Sequence, residues 1–311
     1  MSLRAVPAVT LLVLAAGCAV TSHPSQPSGL GVARPYPELL AVIHEPGPVE
    51  LETVASADWV VPLKGMLNLE HPRARAAKLV DRVEPIKVYF HALRHPTRGL
   101  HLVDTGVERA LRDRPAEAAF RGLVASQMHL EKMTIHAPLG EWLAAHAEPV
   151  RGVFLTHLHA DHVTGMPDVP AGTPVYLGPG ETTRGFLEMF VRPSLDRALA
   201  GKPPLSVWPM AGGAGAAGAG FEGVVDVFGD RTVWALWVPG HTPGSTAYVV
   251  RTPQGPVLLA GDACHTRWGW EHDVEPGTFS RDVPRSVESL ARLRKLAAEH
   301  PGMAVRLGHQ P

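Results

Sequence analysis

Four side chains able to hold a metal ion fall within six residues: His157, His159, Asp161 and His162 in the segment THLHADH, residues 156–162. Imidazole nitrogens and carboxylate oxygens suit Zn²⁺ and similar divalent ions. Ligands this close in sequence converge only where the chain leaves regular structure, as where a strand end runs through a turn into a helix. The apolar run 150–155 supplies the buried strand. Three more candidates follow in order: His241 in GHTPGS (240–245), Asp262 after the apolar run 256–260, and His309 after the run 303–307. Each stands just past an apolar stretch, where a strand top meets solvent. A glycine beside each (Gly240, Gly261, Gly308) lets the backbone come close. Isolated histidines such as His101 and His146 read as core or surface filler.

The elements that must position these residues are legible in outline. Residues 49–61, 86–93 and 99–104 read as strands, the last ending at a turn at Thr105-Gly106. Residues 107–147 are helical in composition, with an apolar stripe over 138–147. A strand over 173–177, a helix over 181–191, and strands over 231–238, 246–251 and 256–260 follow. Residues 211–220 (AGGAGAAGAG) read as a flexible surface loop without chemistry. A helix over 284–299 places Val287, Leu290, Leu293 and Leu296 along one face, with Asp282 as its cap, and 303–307 forms the last strand. Strands in two halves with helices outside imply a layered α/β/β/α sandwich.

Bulk properties narrow the function classes. The 311 residues are 45% hydrophobic, and 29 Lys plus Arg nearly balance 30 Asp plus Glu. Without clustered basic residues, binding to nucleic acid or to an anionic membrane surface is not expected. The first 18 residues, MSLRAVPAVTLLVLAAGC, carry Arg4 and then an uncharged apolar run too short to span a bilayer, which fits a signal peptide. Their LAAGC ending resembles a bacterial lipobox, so export and lipid attachment at Cys18 are expected. The protein would then face the periplasm or the cell surface. Residues 19–37, rich in Ser, Pro and Gly, read as a flexible tether, and 38–311 as a single catalytic domain. Only Cys18 and Cys264 exist, so a lipidated Cys18 leaves no disulfide.

The H-x-H-x-D-H motif, with the later His, Asp and His in order, resembles the metallo-β-lactamase fold superfamily over roughly residues 49–311. That resemblance implies an α/β fold, the αββα sandwich of that superfamily, and two divalent cations, Zn²⁺ first with Fe or Mn as alternatives. It implies that His157, His159 and His241 hold one ion, that Asp161, His162 and His309 hold the other, and that Asp262 bridges them. Asp104, in LVDTG, matches a strand-end position that orients a ligand.

Two cations ~3.5–4 Å apart can share one water and lower its pKa toward ~7, so that hydroxide attacks an acyl or phosphoryl centre. Asp161 would then shuttle a proton to the leaving group. The stretch from Leu130 to His162 and the GDA–helix–GH ending resemble N-acyl-homoserine-lactone lactonases. Two positions depart from them: His265 stands where they carry a tyrosine contacting the lactone, and Ala160 where they favour Phe. Hydrolysis of a lactone or other carboxylic ester is therefore the first reading, with His265 as a possible donor to the leaving oxygen. β-Lactam hydrolysis and glyoxalase II-like thioester hydrolysis are the alternatives. Iron-based oxygen chemistry and a non-catalytic metal-holding lipoprotein lie outside hydrolysis. Trp268 and Trp270 are read evenly as pocket wall or core cover, and Cys264 as a small buried hydrophobe. Selectivity is expected to reside in loops around 178–220 and 265–280, and the excursion 107–135 could form a homodimer contact.

Overall fold

The computed structural model describes residues 20–21, 23–184, 190–210 and 220–311. Residues 1–19, with the expected signal peptide and Cys18, and all but the last residue of the Gly/Ala loop lie outside the described residues. Two sheets stack face to face. In the first, the spatial order is Ser25–Pro27, Leu205–Val207, Val175–Leu177, Val150–Phe154, Gly99–Val103, Val83–His95, Glu50–Pro62 and Thr134–Ile135. In the second it is Ala304–Arg306, Gly255–Leu259, Thr246–Thr252, Val233–Trp237, Val224–Asp226 and Val32–Ala33.

Side-chain alternation sorts each inner strand between two cores. Along Thr246–Thr252, Ala247 and Val249 face the helical layer with Leu290 and Leu293, while Tyr248 and Val250 face the other sheet. Along Gly99–Val103, Leu100 and Leu102 pack toward Leu139 and Leu195, and Val103 packs between the sheets with Phe154 and Trp208. Three apolar layers thus separate helix, sheet, sheet and helix, which is the αββα sandwich. His101 is buried in the middle layer, its ring stacked on Phe154 at 5.0 Å.

Four expectations need correction. The segment 19–37 is not simply a tether: Ser25–Pro27 pairs in parallel with Leu205–Val207, and Val32–Ala33 pairs with Val225–Asp226. It adds an edge strand to each sheet through backbone hydrogen bonds, which ask little of side-chain pattern. The stretch 107–147 is broken into Arg109–Asp113, Leu123–Gln127, a 3₁₀ turn at Leu130–Lys132, the strand Thr134–Ile135, and Leu139–His146. Pro115 and Gly122 interrupt it, the latter at φ +63°. Residues 181–184 of the expected helix 181–191 hold none, since Thr183–Arg184 pairs with Val20–Thr21; residues 185–189 lie outside the described residues, and the α-helix Arg192–Ala198 follows. The helix Val283–Glu299 is capped by Asp282, whose side chain accepts from the Arg285 N–H, but Val287 is 45% exposed. Ser286 and Ser289 occupy the buried stripe instead, with the Ser289 hydroxyl donating to the Pro239 carbonyl.

Ser56 marks the register shift between the long strands Glu50–Pro62 and Val83–His95. Its hydroxyl donates to the Ala137 carbonyl and accepts from the Val107 N–H. The bulge thereby ties the irregular 107–138 segment to the rim of the first sheet.

Candidate metal centre

The strand Val150–Phe154 ends, the chain turns through residues 155–159, and a short helix starts at Ala160. This is the break in regular structure that lets closely spaced ligands converge. Asp104, held at φ +56° just past its strand, receives the Thr156 N–H at 2.8 Å and lies 2.8 Å from His162 Nδ1. An acceptor on Nδ1 fixes its proton there and turns Nε2 inward. His309 is oriented in the same way, its Nδ1 2.8 Å from the Lys87 carbonyl oxygen. His241 places Nδ1 3.3 Å from Ser280 Oγ.

All seven residues expected as ligands meet at one place. Asp262 Oδ2 is the hub: the Nε2 atoms of His157, His162, His241, His265 and His309 lie 3.7, 3.4, 3.5, 3.1 and 3.3 Å from it. Asp161 Oδ2 lies 3.3 Å from His309 Nε2. Among the described residues the donors sort into a nitrogen group of His157, His159 and His241, and a mixed group of Asp161, His162, Asp262 and His309. A third group joins His241, Asp262 and His265.

The donor set fits cations. His241 Nε2 sits 3.2 Å from His157 Nε2 and 2.9 Å from His159 Nδ1. Three imidazole nitrogens so close together can all face one shared cation. Among the described residues His162 Nε2 is buried without a hydrogen-bond partner, a costly condition that coordination would remove. In the protein alone, burial and neighbouring imidazoles push His157 and His241 well below the ordinary histidine range. Burial opposes charge on His309 as well, but Asp262 and Asp161 hold it up at about 10. His162 is raised too, by Asp262 and Asp104 against the same burial. Close approach is built in at the glycines: a Cβ on Gly308 would lie 2.1 Å from Asp262 Oδ1, and one on Gly240 would lie 2.3 Å from the Ser286 nitrogen.

Glu181 carried no signal in the sequence, yet it links both ligand loops. Its buried carboxylate accepts from the Leu158 N–H at 2.6 Å, the Thr242 hydroxyl at 2.6 Å and the Gly244 N–H at 2.9 Å. Leu158 lies between His157 and His159, and Thr242 follows His241. Only tertiary structure reveals this role, because the three donors come from distant segments.

The centre forms the floor of a cavity of about 790 Å³, walled by apolar side chains including Trp59, Met66, Ile86, Phe120, Phe190 and Phe279. Trp268 and Trp270 are not on this wall. They cover core clusters around Leu63, Leu67 and Val274, and around Leu290 and Leu293. The strand Glu50–Pro62, which carries Trp59, and residues 127–129 join the walls, beyond the two loops expected to set selectivity. Cys264 is buried, its thiol pushed up to about 12 by desolvation, and it belongs to none of the three donor groups.

The sequence profile of the Metallo-beta-lactamase superfamily matches residues 89–309. N-acyl homoserine lactonase AttM of Agrobacterium fabrum is 32% identical over 164 residues, 52% of this chain and 59% of that protein. The chain thus spans about three fifths of the length of the AttM relatives it matches. An N-acyl homoserine lactonase of a Bacillus species is 25% identical over 255 residues, 79% of this chain and 90% of that protein. Among solved structures, a quorum-quenching N-acyl homoserine lactone lactonase superposes with a TM-score of 0.59 at 17% identity, covering 86% of this chain and 94% of that one. AidC, a dizinc quorum-quenching lactonase, gives 0.54 at 13% identity, covering 91% and 92%. At these identities the structural likenesses establish a shared fold.

Proposed function

The chain belongs to the metallo-beta-lactamase superfamily, and on that premise we propose that it hydrolyses a lactone or other carboxylic ester with two divalent cations, Zn²⁺ foremost. The observation that carries this reading is the convergence of five imidazoles on Asp262 Oδ2 at the floor of a large apolar cavity. His157, His159 and His241 would hold one cation, Asp161, His162 and His309 the other, and Asp262 would serve both. Two divalent ions supply Lewis acidity toward an ester carbonyl and lower the pKa of water toward about 7, giving a hydroxide nucleophile at neutral pH.

The chain's own residues do the rest. Asp104, the Lys87 carbonyl and Ser280 fix the rings of His162, His309 and His241. The apolar walls bind the hydrocarbon part of a substrate and exclude bulk water. Asp161 faces the cavity beside His309, where its carboxylate would take the proton released by the attacking water and pass it to the departing alkoxide oxygen as the acyl C–O bond breaks. The lactonase names of the sequence relatives support a cyclic ester as substrate.

The test uses the full chain loaded with Zn²⁺, its metal content determined by mass spectrometry. Substrates are γ- and δ-lactones of varied chain length, aryl esters, a chromogenic cephalosporin and a glutathione thioester. About two ions per chain, with lactone or ester turnover abolished in Asp262→Ala, is the expected result. Turnover of the cephalosporin or thioester alone would transfer the protein to those activities, and folded protein that takes up no metal would sink the hydrolase reading.

We further propose export with a lipid on Cys18, supported by the apolar run and LAAGC ending of residues 1–18. Labelled fatty acid should enter the wild-type chain and not Cys18→Ala in a bacterial host; equal labelling of both would refute it.

A further inference from the structure

The steps above leave one inward-facing imidazole unused. We propose that His265 is an eighth ligand of the metal centre, bound through Nε2 on the side of His241 and Asp262; this rests on the two-cation reading. His265 is buried, and its Nδ1 lies 2.9 Å from the Met66 carbonyl oxygen. That carbonyl closes the short helix Leu63–Met66 and has no partner within it. A carbonyl only accepts, so Nδ1 carries a proton, and Nε2 is the ring atom left to coordinate an ion.

Nε2 is aimed at the centre. His265 Nε2 stands 3.1 Å from Asp262 Oδ2, the shortest of the five imidazole separations. Its ring centroid is 4.9 Å from that of His241, and the donor atoms of His241, Asp262 and His265 all lie within 4.8 Å of one another. Two ligand atoms each about 2.0–2.1 Å from one ion and separated, as His265 Nε2 and Asp262 Oδ2 are, by 3.1 Å subtend roughly 100° at it, within the range of four- and five-coordinate sites. The construction also repeats that of two expected ligands. His162 commits Nδ1 to Asp104, His309 to the Lys87 carbonyl and His265 to the Met66 carbonyl, and each turns Nε2 onto Asp262. An outer acceptor on one nitrogen is the usual support of a metallated imidazole.

The competing role is donation: a proton on Nε2 given to Asp262 or to a leaving oxygen. The location of that proton separates the two. In the zinc-loaded full chain, long-range ¹H–¹⁵N correlation should give His265 a protonated Nδ1 and a metallated Nε2; a proton on Nε2 would overturn the proposal without requiring any variant to fold. In the Co²⁺-loaded protein, His265→Phe should weaken the affinity of one ion at least tenfold, read by chelator competition. It should also alter the visible ligand-field bands as a nitrogen donor is lost. Co²⁺ affinity within twofold of wild type and an unchanged spectrum would refute the ligand role while leaving a two-metal centre standing. Failure of wild type to bind about two Co²⁺ would instead bring down the underlying reading, and this one with it.

Discussion

Glu181 joins the loop of His157 and His159 to the loop of His241, so Glu181→Gln should loosen the nitrogen-rich group while sparing the other. One carboxylate oxygen serves the Leu158 N–H and the other serves Thr242 and Gly244. An amide has a single accepting oxygen. Thr242 can redirect its hydroxyl to Ser245 Oγ, 2.9 Å away, but one of the two backbone N–H groups must then face the amide nitrogen, buried and unpaired. Such a group costs about 1–3 kcal/mol, and the loss of a charged acceptor from the remaining bonds brings the total to roughly 3 kcal/mol. Shared between folding and metal binding, this should lower zinc affinity in the nitrogen-rich group by about 10–100-fold. The mixed group is anchored through Asp104 and the Lys87 carbonyl and should keep its ion. Titration of the zinc-loaded variant with a chelator should therefore show one ion leaving early and one leaving near the wild-type concentration. Loss of both ions together, or neither displaced by more than twofold, would refute the idea that Glu181 sets the spacing of the three histidines.

Two buried groups away from the metal centre should give stability opposite pH dependences. Desolvation raises the Glu108 carboxyl from 4.5 to about 7. The folded state therefore binds the proton more tightly than the unfolded chain, and stability falls as pH rises from about 4.5 through about 7, by at most about 3 kcal/mol. Glu108→Gln should remove that decline in urea unfolding at pH 5 and pH 8; an unaltered difference between the two would contradict the burial argument. His101 is held neutral by burial, its pKa lowered from 6.5 to about 4. Here the unfolded chain binds the proton more tightly, so stability is full above about 6.5 and is lost as pH falls toward 4, again by at most about 3 kcal/mol. His101→Phe, which keeps a ring beside Phe154 and Phe228, should flatten that limb, and an equally steep acid limb in the variant would count against it. Phe154 lies between the sheets against Trp208, Tyr248 and Phe228. Phe154→Ala should cost about 3–5 kcal/mol, and a change below 1 kcal/mol would mean that this layer is not packed as described.

How much could be read in advance follows from the range over which each feature is encoded. THLHADH needs no partner to be noticed, because its spacing and the preceding apolar run are local, and His241, Asp262 and His309 share the same local signature of an apolar run ending beside glycine. The helix 283–299 was legible to within a residue, but its buried stripe was not. Ser286 and Ser289 displaced Val287 because the helix packs against the backbone at Gly240 and Pro239, where small hydroxyl-bearing side chains fit and find acceptors. The edge strands Ser25–Pro27 and Val32–Ala33 escaped for the complementary reason: two or three backbone pairs hold them, and Ser, Pro and Gly look alike in a paired edge and in a free linker. Glu181 and the Met66 carbonyl stand at the far end of this scale, since each acts through groups more than twenty residues away. The candidate ligands are thus written locally, whereas their spacing and ring orientation are set by distant residues, so the supporting residues can be found only once the chain is folded.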